Sequence, residues 1–151
     1  LRRKDMLPDN YRLKKRRDFS RIYARGRHDA CSAFILYCLP RRGSTEVRIG
    51  FSASKKLGHA VERNRIKRVF RHVAASLLEL FPPGCDYIFV IRGAALEQSF
   101  ERISRQMAKM LRSSPAVPGH NSKPQGCAKK QARNSSTVQA QAHGGTSDQQ
   151  A

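Results

Sequence analysis

The chain contains no tryptophan, and it contains no hydrophobic segment of membrane-spanning length. A transmembrane helix needs about 20 consecutive apolar residues, and no apolar run here approaches that length. The basic amino terminus is not followed by an apolar segment, so no secretion signal is expected. The sequence therefore predicts a cytoplasmic protein that does not interact with a membrane.

Cysteines with metal-binding spacing are also absent. The four cysteines stand at positions 31, 38, 85 and 127, and no two of them form a CxxC motif. Without a secretion signal, a disulfide framework is not expected. A zinc site built from Cys31, Cys38 and His28 would match no common zinc-binding spacing, so buried reduced thiols are favoured and no metal site is predicted.

Acidic residues are scarce, with 11 Asp and Glu against 30 Lys and Arg and a formal net charge of +19. So basic a protein attracts polyanions, and no helix here combines a basic face with the exposed Trp, Phe and Leu of a membrane-surface helix. The carboxylates are scattered along the chain, and none form a close pair for acid–base or two-metal catalysis. The composition thus favours nucleic-acid binding and predicts no catalytic residue in this chain.

The carboxyl-terminal part lacks the residues that build a core. Residues 113–151 contain no Phe, Tyr, Leu, Ile or Met and are rich in Gln, Ser, Ala and Gly. Such a segment cannot bury enough apolar surface to offset its ordering entropy. We therefore expect a folded domain over residues 1–112 and a disordered tail over residues 113–151. The tail holds only four of the basic residues, so the charge belongs to the domain.

Hydrophobic periodicity predicts an α+β domain with a small, mostly antiparallel sheet packed with helices. An extended basic arm is expected over residues 1–12. Helical spacing is found over residues 15–25, 61–80 and 96–111. Alternating or continuous apolar residues predict strands over residues 31–39, 46–54 and 86–92, with a further short strand possible at 27–30. The first two long strands are expected to form an antiparallel hairpin, and Phe100 is expected to face the core.

The strongest local signal is a basic helix within residues 55–71. Five polar side chains are predicted on the side opposite to the apolar stripe of this helix: Arg63, Asn64, Lys67, Arg68 and Arg71. A solvated basic face is the alternative, but such faces normally intersperse acids with cations, and only Glu62 is acidic here. Guanidinium groups fork onto phosphates, so this face indicates binding to a polyanion.

Aromatic residues among cations give a second signal. Phe19 and Tyr23 stand within a basic segment, and Tyr37 lies in a predicted strand. Such rings can stack on unpaired bases, or they can simply be core. From composition alone, core packing is favoured for Phe19.

Residues 55–71, with Arg63-Asn64-Arg65 at their centre, resemble the signature of the bacterial ribonuclease P protein subunit family. The similarity extends over roughly residues 7–112 and includes residues 11–19, 34–37, 48–52 and 86–92. The resemblance implies an α-β sandwich with a left-handed βαβ crossover, like a domain of ribosomal proteins. The tail has no counterpart in the family.

The resemblance also implies a function. The chain would be the accessory subunit of an endoribonuclease whose catalytic RNA removes the 5′ leader of precursor tRNA. The RNA would hold the active site and its Mg²⁺ ions. Ribonuclease P RNA and precursor tRNA would be the partners, with no obligate protein partner and no membrane.

Site residues follow from the same resemblance. The residues expected to contact the catalytic RNA are Lys55, Lys56, Arg63, Arg65, Lys67 and Arg68. The residues expected to line a cleft for the single-stranded leader are Lys15, Phe19, Tyr23, Ile35, Tyr37, Asn64 and Arg71. Tyr23 stands where many relatives have Phe, and its aromatic ring should still stack on a base.

Two alternatives remain open at this point, and a third is weaker. A ribosomal or general RNA-binding protein could carry the same charge and fold without a role in tRNA processing. A protein nuclease would cut RNA alone, which the scattered carboxylates disfavour. An RNA recognition motif rests only on the superficial likeness of residues 48–51 to its aromatic signature.

Overall fold

The structure is a computed structural model that describes residues 6–119. Its helices are α1 (Arg16–Arg25), α2 (Ala60–Ser76) and α3 (Phe100–Ser113). Its strands are β1 (Arg27–Ala30), β2 (Phe34–Pro40), β3 (Val47–Ala53) and β4 (Cys85–Ile91). Short 3-10 helices occupy Asp9–Tyr11, Lys55–Leu57, Leu78–Leu80 and Gly93–Glu97. The predicted α+β class and the short strand β1 are confirmed.

The strands form one mixed sheet in the order β1-β2-β4-β3. β2 is antiparallel to both β1 and β4, whereas β3 is parallel to β4. The predicted hairpin of β2 with β3 is therefore wrong, because β4 lies between them. β4 is buried along nearly its whole length, and the central position gives both of its edges a hydrogen-bonded partner. The chain crosses from β3 to β4 through α2, and the left hand of this crossover stays a prediction.

The two faces of the sheet carry two separate apolar clusters. On one face, Phe34 of β2 meets Phe70 of α2 edge-on at 5.7 Å between ring centroids, and Ile103 of α3 joins the same cluster. On the other face, Ile88 of β4 packs with Ile22 of α1. The molecule thus has three layers, with α1 on one side of the sheet and α2 with α3 on the other.

Helix boundaries differ from the prediction at the carboxyl end of α2 and the amino end of α3. α2 ends at Ser76, and the next turn is the 3-10 helix Leu78–Leu80. Phe100 does not face the core as expected. It is the first residue of α3 and is 36% exposed, and its ring lies against His72 at 5.1 Å.

The two ends of the described chain pack against the domain. Leu7 is fully buried in the main apolar cluster, and Asp9–Tyr11 is a 3-10 helix, so the predicted arm is not uniformly extended. The predicted boundary at Arg112 lies inside α3, and Val117 beyond it is also buried in the main cluster. The tail after residue 119 lies outside the described residues.

The cysteines that the structure describes are free. Cys38 and Cys85 are buried and Cys31 is partly buried, as expected for reduced thiols, while Cys127 lies outside the described residues. His28 lies against the ring of Tyr37, on the opposite face of β2 from Cys38. The three residues of the unfavoured zinc interpretation therefore do not converge.

A buried carboxylate fastens α1 to the sheet. Asp86 of β4 is fully buried on the α1 face. Arg48 of the neighbouring strand β3 donates two hydrogen bonds to this carboxylate, from Nε to Oδ1 at 2.8 Å and from Nη2 to Oδ2 at 2.7 Å. Arg21 of α1 donates to the same carboxylate at 3.2 Å, and Arg48 also donates to Asp18 of α1 at 3.1 Å. We call these four residues the Asp86 clamp.

The carboxylates of the Asp86 clamp stabilise the charged form of Arg48. Hydrogen bonding to Asp86, aided by the charges of Asp86 and Asp18, raises the pKa of Arg48 in spite of its partial burial. No sequence pattern indicates that Asp18 and Asp86 come together, because 68 positions separate them. Both carboxylates are engaged by arginines, so they form no acid–base pair.

The clamp predicts that Asp86→Asn destabilises the fold. Removing one partner of a buried ion pair leaves the other charges uncompensated, at a cost of about 3–5 kcal/mol when the partners are fully buried. Because the arginines here are partly exposed, we expect the free energy of unfolding to fall by about 2–3 kcal/mol. Urea titration measures this change.

Glu46→Gln is the matched control, since this carboxylate pairs with Arg41 but is 75% exposed. We expect less than about 1 kcal/mol for this exposed pair. Equal destabilisation by the two variants would show that the clamp does not fasten α1.

Candidate RNA-binding surface

Three aromatic rings form a patch on the α1 face of the sheet. Phe19 and Tyr23 lie one helical turn apart, with ring centroids at 6.4 Å, and Tyr23 meets Tyr37 of β2 edge-on at 5.0 Å. Tyr23 is 40% exposed, and the other two rings are partly exposed. Phe19 also packs against the buried cluster beneath α1, so it has both a core contact and an accessible part. We call these three residues the aromatic patch.

Gly50 allows the ring of Phe19 to lie close to the backbone of the sheet. A Cβ atom at this position would lie 2.6 Å from Cζ of Phe19 and 2.9 Å from its Cε1. The ring therefore rests directly on the backbone of β3, in a place where any other residue would displace it. A glycine inside a strand pattern signals a close approach, and it is the feature of the sequence from which this contact could have been predicted.

The amino end of α2 is capped by Glu62, an acidic residue in the first turn of the helix. Glu62 accepts a hydrogen bond from the backbone N–H of His59 at 2.8 Å and forms a capping box with the His59 side chain. Gly58, with a φ of 130°, makes the turn into this cap. The single acidic residue of the basic segment is thus used in capping. Within residues 6–119, the cations of α2 make no salt bridge.

Positive charge concentrates where the amino-terminal segment passes α2. The backbone N–H of Leu13 donates to the carbonyl of Ile49 at 2.9 Å, which places Arg12 beside the outer strand β3. Burial, followed by the charges of Arg12 and Arg68, lowers the pKa of Arg71. The guanidinium group of Arg71 is therefore repelled by those of Arg12 and Arg68, of which Arg12 also pairs with Asp9 at 2.9 Å. Arg12 was not among the predicted site residues, because nothing in its spacing links it to α2.

The residues expected to contact the catalytic RNA do not all lie together. Lys55 and Lys56 are exposed in the 3-10 helix that follows β3. On α2, Arg63 and Lys67 share one flank, and the exposed Arg68 lies about 100° further around the helix. Arg63 is half-buried, and its Nε atom is buried without a hydrogen-bond partner in the described part of the chain.

Arg65 lies on another side of α2. It is about 200° around the helix from Arg63 but only about 60° from Arg68, which lies on the next turn. There it lines a cavity of about 360 Å³ together with Leu96 and Phe100. The cationic side chains of α2 therefore project from the helix in more than one direction.

The residues expected to line the leader cleft are likewise distributed. Ile35 lies on the same face of β2 as Tyr37, two positions along the strand, and is half-buried next to the aromatic patch. Lys15 immediately precedes α1. Asn64 and Arg71 belong to α2, which packs on the other face of the sheet, and Asn64 is exposed.

Neither a metal centre nor a membrane span is found in the described part of the chain. Within residues 6–119, no three His, Cys, Asp or Glu side chains come together in a metal-binding group. None of the helices described has the length and hydrophobicity of a membrane span. The surface features that remain are aromatic rings and cations, which are the groups that stack on bases and bind phosphates.

Comparison with known protein families gives one match over most of the chain. Residues 7–114 match the family model described as Ribonuclease P. The chain is 37% identical over 106 residues to the ribonuclease P protein component of Shouchella clausii, covering 70% of this chain and 87% of that protein. It is 39% identical over 104 residues to the component from Geobacillus kaustophilus, covering 69% and 86%.

Solved structures agree with this match. The RNase P protein of Staphylococcus aureus superposes with a TM-score of 0.63 at 33% identity, covering 71% of this chain and 97% of that one. The RNase P protein of Thermotoga maritima superposes with a TM-score of 0.61 at 26% identity, covering 66% and 94%. The residues matched by the family model, 7–114, include the aromatic patch and α2.

Proposed function

The chain belongs to the bacterial ribonuclease P protein family, and we propose that it binds both the catalytic RNA and the 5′ leader of precursor tRNA. Family membership makes it a component of an endoribonuclease complex, with ribonuclease P RNA as its partner. We propose further that the chain assists Mg²⁺-dependent removal of the leader. The observation that supports this proposal is that one domain presents both kinds of group: cations on α2 that form no ion pair among the described residues, and partly exposed aromatic rings on the α1 face.

The cations of α2 support the contact with the catalytic RNA. A helix that displays like charges without nearby carboxylates is destabilised by their repulsion. A polyphosphate partner removes that repulsion and releases counterions, which favours binding. We assign this role to Lys55, Lys56, Arg63, Arg65, Lys67 and Arg68. Because Arg65 points away from Arg63, the RNA would have to contact α2 on more than one side.

The aromatic patch supports the contact with the leader. Unpaired bases stack on accessible rings, whereas paired bases of a mature tRNA are already stacked on one another. Phe19, Tyr23 and Tyr37 offer such a platform, with Ile35 beside it and Lys15 at the start of α1. Asn64 and Arg71 would contact the leader from α2. A leader contact distinguishes precursor from product, because only the precursor has a leader.

The described residues do not fit a magnesium site. Asp18 and Asp86, the carboxylates that come together, are held by arginines. We therefore propose that Mg²⁺ is held by the RNA subunit and that phosphodiester hydrolysis takes place there. This chain would act by positioning and charge neutralisation in the cytoplasm, with no obligate protein partner.

We expect Phe19→Ala to weaken binding of precursor tRNA to the holoenzyme by about 5- to 150-fold, the value of stacking between one base and one ring. Binding of mature tRNA should be unchanged, because it lacks the leader. Phe19→Leu retains most of the core packing and should show the same selective weakening. Titration of both tRNAs measures the ratio of the two affinities.

The control is Phe100→Ala, which removes a partly exposed ring on the opposite side of the sheet. It should leave the ratio of precursor to mature affinity unchanged. Equal weakening of both tRNAs by Phe19→Leu would refute the leader assignment.

For the catalytic RNA, we expect Arg65→Ala with Arg68→Ala to weaken binding and to reduce its salt dependence. Removing one cation from a phosphate should lower the slope of log affinity against log salt by about 0.7–0.9. Arg102→Ala with Arg105→Ala, two exposed residues of α3, makes the same change in net charge elsewhere. If both double variants alter the slope equally, the interaction is general electrostatic attraction and not binding by this face of α2.

A further inference from the structure

A second cationic site lies on the other flank of α1. It is an open cavity of about 320 Å³. Its lining residues come from α1, from the residue before it and from the start of the β2–β3 loop and of β3: Lys15, Arg17, Asp18, Arg21, Arg41 and Arg48. Asp18 and Arg21 lie on the opposite side of α1 from Phe19 and Tyr23, so this cavity is separate from the aromatic patch.

Cations outnumber carboxylates in this cavity. Five of its six lining residues are cationic. The carboxylates within reach are Asp18, Asp86 and the exposed Glu46, and the ion pairs that they form are with Arg21, Arg41 and Arg48. Lys15 and Arg17 make no salt bridge to a described carboxylate. Two positive charges therefore remain uncompensated, beside the amino end of α1, where the helix dipole also favours an anion.

Arg41 has unused hydrogen-bonding capacity. Its backbone N–H donates to the carbonyl of Gly84 at 2.7 Å, which fixes the start of the side chain. Its Nη2 atom donates to Ser44 and to Glu46. Its Nε atom lies 3.2 Å from Oδ1 of Asp86, yet it is buried and makes no hydrogen bond within the described residues. That Nε atom is paired with the charge of Asp86, but 21% of the Arg41 side chain remains exposed, so an anion in the cavity can approach its guanidinium group.

We propose that this cavity binds a backbone phosphate of RNA. Apart from Lys15, which is also assigned to the leader cleft, its lining residues belong to neither of the surfaces assigned above. The inference rests on the proposed function for the source of that phosphate. A phosphodiester carries one negative charge and two free oxygens, which suits guanidinium groups that donate in pairs. The Asp86 clamp holds Arg21 and Arg48 in place, so the site is formed before the phosphate arrives.

Inorganic phosphate is the first probe, because it tests the site without any RNA. In the full chain, the Nε–H signal of Arg41 in a two-dimensional nitrogen–proton spectrum should shift and saturate as phosphate is added. Chloride at the same ionic strength should not reproduce the shift. Arg17→Gln, which leaves the Asp86 clamp intact, should weaken phosphate binding about tenfold, the value of one charge-assisted hydrogen bond.

The matched control is Arg16→Gln, since Arg16 is exposed beside Arg17 but does not line the cavity. Arg41→Gln and Arg42→Gln form a second such pair at the β2–β3 loop. The proposal is overturned if phosphate leaves the Arg41 signal unmoved, or if the lining and control variants behave alike.

Two RNA titrations then identify the source of the phosphate. If it belongs to the catalytic RNA, Arg17→Gln should weaken binding of ribonuclease P RNA more than Arg16→Gln does. If it belongs to precursor tRNA, the difference should appear only when the holoenzyme binds precursor. Saturable phosphate binding with no difference in either titration would overturn the RNA assignment. A failure of the leader assignment alone would leave the phosphate result intact, so the two proposals are distinguishable.

Discussion

The aromatic patch that we assign to the leader depends on one buried carboxylate. Asp86 is shielded from solvent, so its charge must be compensated within the protein. Arg48, Arg21 and Arg41 do this from β3, from α1 and from the β2–β3 loop. The same interactions fix where α1 crosses the sheet. Phe19 then lies over Gly50, and Tyr23 reaches Tyr37. Besides the clamp, α1 is held by a small apolar cluster around Ile22 and Ile88, against which Phe19 and Tyr37 also pack.

Two kinds of arginine follow from this arrangement. Arg48 donates its hydrogen bonds to Asp86 and Asp18 inside the protein, so it contributes to the stability of the fold and to the position of α1. Arg68 and Arg71 lie near each other and form no salt bridge within residues 6–119, so an external anion would relieve their repulsion. Net charge alone cannot separate these groups. The pattern of ion pairs does so, and it locates the cations that are available for binding.

Much of the fold was predictable from periodicity, because each helix and most strands have an apolar pattern of their own. The pairing of β2 with β3 was wrongly predicted, since alternation shows that a strand is buried but not which strand lies beside it. Phe100 fitted a helical stripe, yet it begins α3 at the rim of a cavity. The rings of the aromatic patch were recognisable as candidates, whereas Asp86 and Arg12 were not, because their partners are distant in sequence and only the folded chain brings them together.

The central claim is that this chain supplies binding and charge while the RNA supplies the chemistry. Cleavage of the 5′ leader at low Mg²⁺ tests it directly, with precursor tRNA mixed with a bacterial ribonuclease P RNA, with this protein, or with both. We expect efficient cleavage only when both are present. Cleavage by the protein alone would contradict it by revealing an active site in this chain. Tight binding to the RNA with no stimulation of cleavage would contradict the role in tRNA processing.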